Sequence, residues 1–218
     1  MPRSKGDGCA KMLTTVPNLL TLSRVGVIPI IVALFYVPGD WPRYVACVLF
    51  TAAGFTDVLD GYLARARRET SSIGRILDPI ADKLLVVSVI GMLLAFDRIA
   101  GLAVLGAVVI LCRELLVSGL RELLADINQR LPVTRLAKWK TVIQMVALGF
   151  LIVGDAGFAF LPVVRIGEAL LWIAVILTLV TGYIYCRAAF GSVMTFRRRR
   201  DREGGRAGKV ANPATPSA

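Results

Sequence analysis

The chain has 218 residues, 56% of them hydrophobic, with a formal net charge of +11 and no histidine. Its mean hydropathy of +0.68 is too high for an ordinary soluble domain; it fits one compact multi-span membrane bundle and leaves no room for a second globular domain. The missing histidine excludes phosphohistidine chemistry, imidazole bases and histidine-held zinc. The four cysteines, Cys9, Cys47, Cys112 and Cys186, form no CxxC pair and read as packing residues.

Residues 1–15 form a short N-terminal cytoplasmic or interfacial segment. The first apolar run, 16–37, carries Arg24 in its interior and has no small-residue cleavage site, which argues against a removable signal peptide. The second run, 42–65, opens on Pro42, a residue suited to a helix's first turn. Further runs cover 74–96, 99–125 (past Arg113), 136–153 and 166–190. The expectation is an all-α integral membrane protein, a bundle of six transmembrane helices within 16–192. No internal repeat of fixed period is present. The stretch 193–218 is basic, then rich in Gly, Ala and Pro, and reads as a cytoplasmic tail disordered beyond its arginine run. Next to a span, that run suits anionic lipid headgroups rather than nucleic acid.

Lys and Arg are unevenly placed. The N-terminal segment, the second-to-third and fourth-to-fifth connections and the C-terminal end carry 21 between them, whereas the other three connections carry only Arg43, Arg98 and Arg165. The positive-inside rule then puts both termini in the cytoplasm. An even number of spans requires the same.

The chemistry concentrates in one acidic window. Asp57 and Asp60 are i,i+3, and Asp78 and Asp82 are i,i+4, so each pair shares a helix face. Carboxylates near hydrocarbon are costly and mark functional sites. The two helices run oppositely, so all four reach a similar depth just under the cytoplasmic headgroups, where a lipid pyrophosphate would sit. Hard oxygen ligands of this kind suit Mg²⁺ or Mn²⁺. Two such ions would cancel four negative charges that otherwise raise one another's pKa, and would clamp a pyrophosphate. Gly61 and Ala64 lie on the face of Asp57 and Asp60, and Gly74 lies one turn before Asp78. Small residues there let a ligand approach the backbone. Arg65 can neutralise phosphate charge. Singly, each acid reads as a solvated cap and Gly61 as helix packing. Their shared register makes that reading weak for the set.

These residues resemble the signature of the CDP-alcohol phosphatidyltransferases, DxxDGxxAR, eight residues, then GxxxDxxxD. It reads here Asp57, Asp60, Gly61, Ala64, Arg65, Gly74, Asp78 and Asp82, without departure. The resemblance implies a six-helix membrane fold, a homodimer, and displacement of CMP from a CDP-linked lipid by an alcohol. It also implies that Asp57, Asp60 and Asp78 hold the metals, and that Asp82 completes the metal site and acts as the base. The expected location is a bacterial cytoplasmic (inner) membrane.

Further segments, among them 16–24, 77–83, 112–115, 118–122 and 138–141, resemble one branch, the CDP-diacylglycerol–glycerol-3-phosphate 3-phosphatidyltransferases. The implied partners are CDP-diacylglycerol and sn-glycerol 3-phosphate. A dianionic acceptor needs cations, and Arg113, Arg121, Lys138 and Lys140 cluster at the ends of the fourth and fifth runs; each alone also reads as a snorkelling or positive-inside residue. Asn18, Thr21 and Arg24, spaced i,i+3,i+6 on one face, are expected to contact the nucleotide or brace the site. Rival readings are the same chemistry with inositol phosphate, phosphatidylglycerol or serine as acceptor, and a divalent-cation transporter. Transporter sites usually sit at the membrane midplane between repeats, which this pattern does not match.

Overall fold

Long apolar runs with few breakers fold as helices, because only internally hydrogen-bonded backbone is tolerated in hydrocarbon. The computed structural model describes residues 16–67, 72–126, 135–157 and 160–210, with side chains at 22–56, 80–124, 135–157 and 160–191. Six α-helices lie among these residues: α1 Val16–Tyr36, α2 Trp41–Arg67, α3 Ser72–Ala95, α4 Ala103–Asp126, α5 Arg135–Val153 and α6 Val163–Val210, with a 3₁₀ turn at Gly154–Ala156. No strand occurs among the described residues.

The boundaries follow local chemistry. The Asp40 carbonyl accepts from the Arg43 and Tyr44 amides at 3.1 and 3.4 Å, which starts α2 with Pro42 in its first turn. After α3, Asp97 and Gly101 take positive φ, and the Arg98 and Ile99 amides both close on the Leu93 carbonyl. This turn delays α4 to Ala103, past the expected start at 99. At the other extreme, α6 has 48 residues, about 72 Å of helix, far beyond a ~30 Å hydrocarbon layer. Its backbone is helical to Val210, through and past the arginine run 197–200. Arginine is a good helix former, so a run of four extends the helix instead of ending it. The N-terminal segment 1–15 and the last residues, 211–218, lie outside the described residues.

The helices pack in a ring. α1 lies against both α2 and α3, α2 against α5, α5 against α6, and α6 against α4; shorter contacts from α3 to α4 and α5 close the circuit. Ile31, Phe50, Leu93, Ile110, Leu148 and Leu171 from the six helices form one buried core. The outer faces are apolar too: Leu105, Leu116, Val142, Trp172, Ile176 and Leu179 are exposed. Helices apolar on all sides belong in lipid. Among the described residues, three stretches are long and apolar enough to cross a membrane, Ala103–Leu124, Arg135–Ala156 and Val163–Gly191. Leu22–Tyr36 is a shorter apolar helix.

One end of the ring gathers three connections. The Tyr44 hydroxyl donates to the Ala156 carbonyl and the Arg98 guanidinium to the Ile152 carbonyl. Phe96 packs at a tilt against Phe35 and edge-to-face against Tyr36, with Arg98 4.9 Å over the Phe35 ring. Partial burial, then the Arg43 charge, lower the Arg98 pKa from its ordinary value, and Asp155 opposes them. The end of α2, the start of α3, the end of α4 and the start of α5 therefore lie at the opposite end, with the start of α1.

α5 and α6 approach closely where Gly167 faces Leu151 and Phe150: a methyl at Gly167 would stand 2.9 Å from Leu151 Cγ and 3.2 Å from Phe150 Cβ. Gly167→Ala is therefore expected to destabilise the bundle by about 1–3 kcal/mol. It should lower the melting temperature in detergent, whereas Gly91→Ala, with open space around it, should not.

Candidate active site

The acidic window spans the α2–α3 hairpin. Asp57 and Asp60 lie ten and seven residues before the end of α2 at Arg67, or ~15 and ~10 Å along the axis. Asp78 and Asp82 lie six and ten residues after the start of α3 at Ser72, or ~9 and ~15 Å. Counted along each axis from these facing ends, the carboxylate positions pair off. The side chains of Asp57, Asp60, Gly61, Ala64, Arg65, Gly74 and Asp78 lie outside the described residues, as do those of Asn18 and Thr21. Asp82 is described and half-buried.

Across the ring from this hairpin, side chains of α4 and α5 converge on one carboxylate, and α6 joins them through Arg113. Glu114 Oε1 on α4 accepts from Lys140 Nζ on α5 and from Arg113 NH1 at 3.2 Å. Lys140 is 3% exposed, so its ammonium is enclosed and requires that anion. Arg113 has a second anchor on α6, where NH2 donates to Thr181 Oγ1 at 2.8 Å. The Thr181 hydroxyl is itself set by the Leu177 and Thr178 carbonyls, 2.7 and 3.2 Å away. Gly182 leaves room for the arginine stem, since a Cβ there would meet Arg113 Cγ at 3.2 Å. The Arg113 and Arg121 guanidinium groups both lie 5.8 Å from the centre of the buried Tyr185 ring. Lys140 also lies within electrostatic range of Arg113 and of Asp82. The basic cluster and the last motif carboxylate thus share one neighbourhood.

Not every expected residue joins it in the same way. Arg113 and Lys140 sit at the centre, Arg121 is exposed and reaches it through Tyr185, and Lys138 is exposed. Arg24 is 2% exposed inside α1, eight residues from the helix start and so ~12 Å along it, comparable in depth to the acids. Glu114, Thr181 and Tyr185 had no assigned role in the sequence reading. A visible signal existed for Glu114, an acid within an apolar run. For Thr181 and Tyr185 the only signal is a shared i,i+4 face.

The motif positions offer oxygen donors only, from two adjoining helices at matched depth. That donor set fits Mg²⁺ or Mn²⁺. Among the described residues no group of three His, Cys, Asp or Glu side chains could hold a metal; three of the four motif carboxylates fall outside that description. A cavity of roughly 300 Å³ lined by Gly154, Asp155, Pro162 and Arg165 opens at the other end of the bundle, away from this chemistry.

The sequence profile of the CDP-alcohol phosphatidyltransferases matches residues 14–180. A Rickettsia typhi protein is 47% identical over 176 residues, 81% of this chain and 97% of its own length. A Pseudomonas fluorescens protein is 41% identical over 187 residues, covering 84% and 94%. An Arabidopsis thaliana protein is 38% identical over 185 residues, covering 79% and 78%. All three are named CDP-diacylglycerol–glycerol-3-phosphate 3-phosphatidyltransferase, the plant one as number 2. A profile match running from the head of α1 well into α6, over an unbroken motif, makes this chain a member of the CDP-alcohol phosphatidyltransferase family.

Proposed function

We propose that the chain transfers the phosphatidyl group of CDP-diacylglycerol to sn-glycerol 3-phosphate, giving phosphatidylglycerophosphate and CMP. The observation that carries the choice of acceptor is the Lys140–Glu114–Arg113 cluster within electrostatic range of Asp82. It sets cations suited to a phosphate dianion beside the base expected to act on the same molecule's hydroxyl. The names of the relatives support the same reading.

The lipid donor enters from the bilayer and the acceptor from the cytoplasm. Arg113 and Lys140, with Arg121 and Lys138 nearer solvent, hold the acceptor phosphate. Asp82 takes the proton from the acceptor's primary hydroxyl. The oxygen attacks the β-phosphorus beside diacylglycerol, the bond to the CMP phosphate breaks, and Arg65 steadies the charge on departing CMP. Asn18, Thr21 and Arg24 position the nucleotide, and Gly61, Ala64 and Gly74 let it approach the helices. Asp57, Asp60, Asp78 and Asp82 would hold two Mg²⁺ or Mn²⁺ ions, which when bound supply charge neutralisation at the pyrophosphate. Positioning and charge neutralisation provide most of the rate. All six helices cross a bacterial cytoplasmic membrane, both termini and the site face the cytoplasm, the basic end of α6 meets anionic lipid, and the enzyme is a homodimer.

Purified protein with labelled CDP-diacylglycerol and a panel of acceptors tests the assignment: glycerol 3-phosphate should release CMP, and serine, phosphatidylglycerol and inositol phosphate should not. Asp57→Asn, Asp60→Asn and Asp78→Asn should each abolish transfer with the melting temperature kept, and EDTA should inactivate reversibly. Near-native activity of any one at low Mg²⁺ would overturn its place among the metal ligands.

Arg113→Ala and Lys140→Ala should raise KM for glycerol 3-phosphate about ten-fold or more while sparing KM for CDP-diacylglycerol. Equal weakening of both substrates would mark the two residues as structural.

For orientation, cysteines placed at Ala100 and Leu161 in a cysteine-free background should react with an impermeant thiol reagent from outside intact cells. One at Gly204 should not, and its labelling would reverse the topology.

A further inference from the structure

We propose that Glu114 is a positioning residue for the acceptor phosphate, acting through Lys140; this rests on the function proposed above. A carboxylate between two phosphate-binding cations looks counterproductive, since it repels the same dianion. The geometry points the other way. Lys140 and Arg113 lie within electrostatic range of one another and share a single oxygen of Glu114. Without that oxygen the two like charges would separate. Arg113 would stay, because Thr181 holds its other nitrogen from α6 at 2.8 Å. Lys140 has no second hydrogen-bond anchor of that kind among the described residues. Its side chain is 4% exposed against 21% for Glu114, so it cannot be stabilised by water where it stands. A buried ammonium that loses its anion moves toward solvent along its flexible stem or gives up its charge. Either way it no longer faces the acceptor beside Asp82. Glu114 therefore fixes where the Lys140 charge is, within electrostatic range of both Arg113 and Asp82.

The test uses the full chain in vesicles containing CDP-diacylglycerol, as Glu114→Asp, Glu114→Gln and Glu114→Ala, each alone and combined with Lys140→Met. Glu114→Ala should raise KM for glycerol 3-phosphate about ten-fold and leave KM for CDP-diacylglycerol within about two-fold. Glu114→Asp should recover most of the loss, with Glu114→Gln between. In the Lys140→Met background, Glu114→Ala should add less than about two-fold, because its partner is already gone. Additive effects, equal shifts in both KM values, or a fall confined to kcat would each overturn the proposal; the Asp and Gln variants keep it testable should the Ala variant fold poorly. Wild-type enzyme using another phosphate-bearing acceptor would refute only the acceptor's identity, the Glu114 effect then being read on that acceptor's KM. An uncharged acceptor would overturn both readings.

Discussion

A lysine ammonium enclosed among apolar helices keeps its charge only while an anion lies against it, and the Lys140–Glu114 pair meets that condition. α4 and α5 pack mainly on α6 rather than on each other. The ion pair is what ties their site ends together. Hydrophobic burial alone would not fix that arrangement, because helices apolar on every side can rotate in lipid with little change in buried area. Charged groups break the degeneracy. Only one rotation of α4 lets adjacent residues, Arg113 and Glu114, reach α6 and α5 at once.

The same logic explains how the two ends of the bundle differ. At one end, an aromatic ring and a backbone carbonyl receive a cation: Arg98 sits on Phe35 and the Ile152 carbonyl, with Asp155 within electrostatic range. These contacts close the connections. At the other end the charges are dense, of both signs, and arranged on four or more helices. α2 and α3 touch each other less than each touches α1, which carries the buried Arg24.

Much of the fold was legible in the chain. The six apolar runs correspond to the six helices, and where boundaries moved, the cause is local: the Asp97 and Gly101 turn delays α4, and a good helix-forming arginine run prolongs α6. The acidic motif was legible because helical spacing alone puts its members in register, and their distances from the facing ends of α2 and α3 pair off. The basic cluster was legible only as a set of cations. That Lys140 meets Glu114, 26 residues away, depends on the rotation of two helices with apolar residues all round, and no hydrophobic periodicity encodes that angle. Tyr185 and Thr181 were hidden for the same reason, on a span that hydropathy reads as uniform.

This dependence also bears on how such a site distinguishes substrates. Under the proposed function the lipid donor is positioned by the end of α2 and the start of α3, two helices adjacent in the chain. The acceptor phosphate is met, under the same proposal, by cations of α4 and α5, one of them anchored on α6 through Thr181, and their relative placement rests on a few polar contacts. The proposed pyrophosphate site is therefore the part less dependent on the other helices, because it is built from one helix pair. Acceptor choice is the adjustable part. Moving one carboxylate or one threonine on the far helices would redirect a guanidinium or an ammonium without disturbing the carboxylates of α2 and α3.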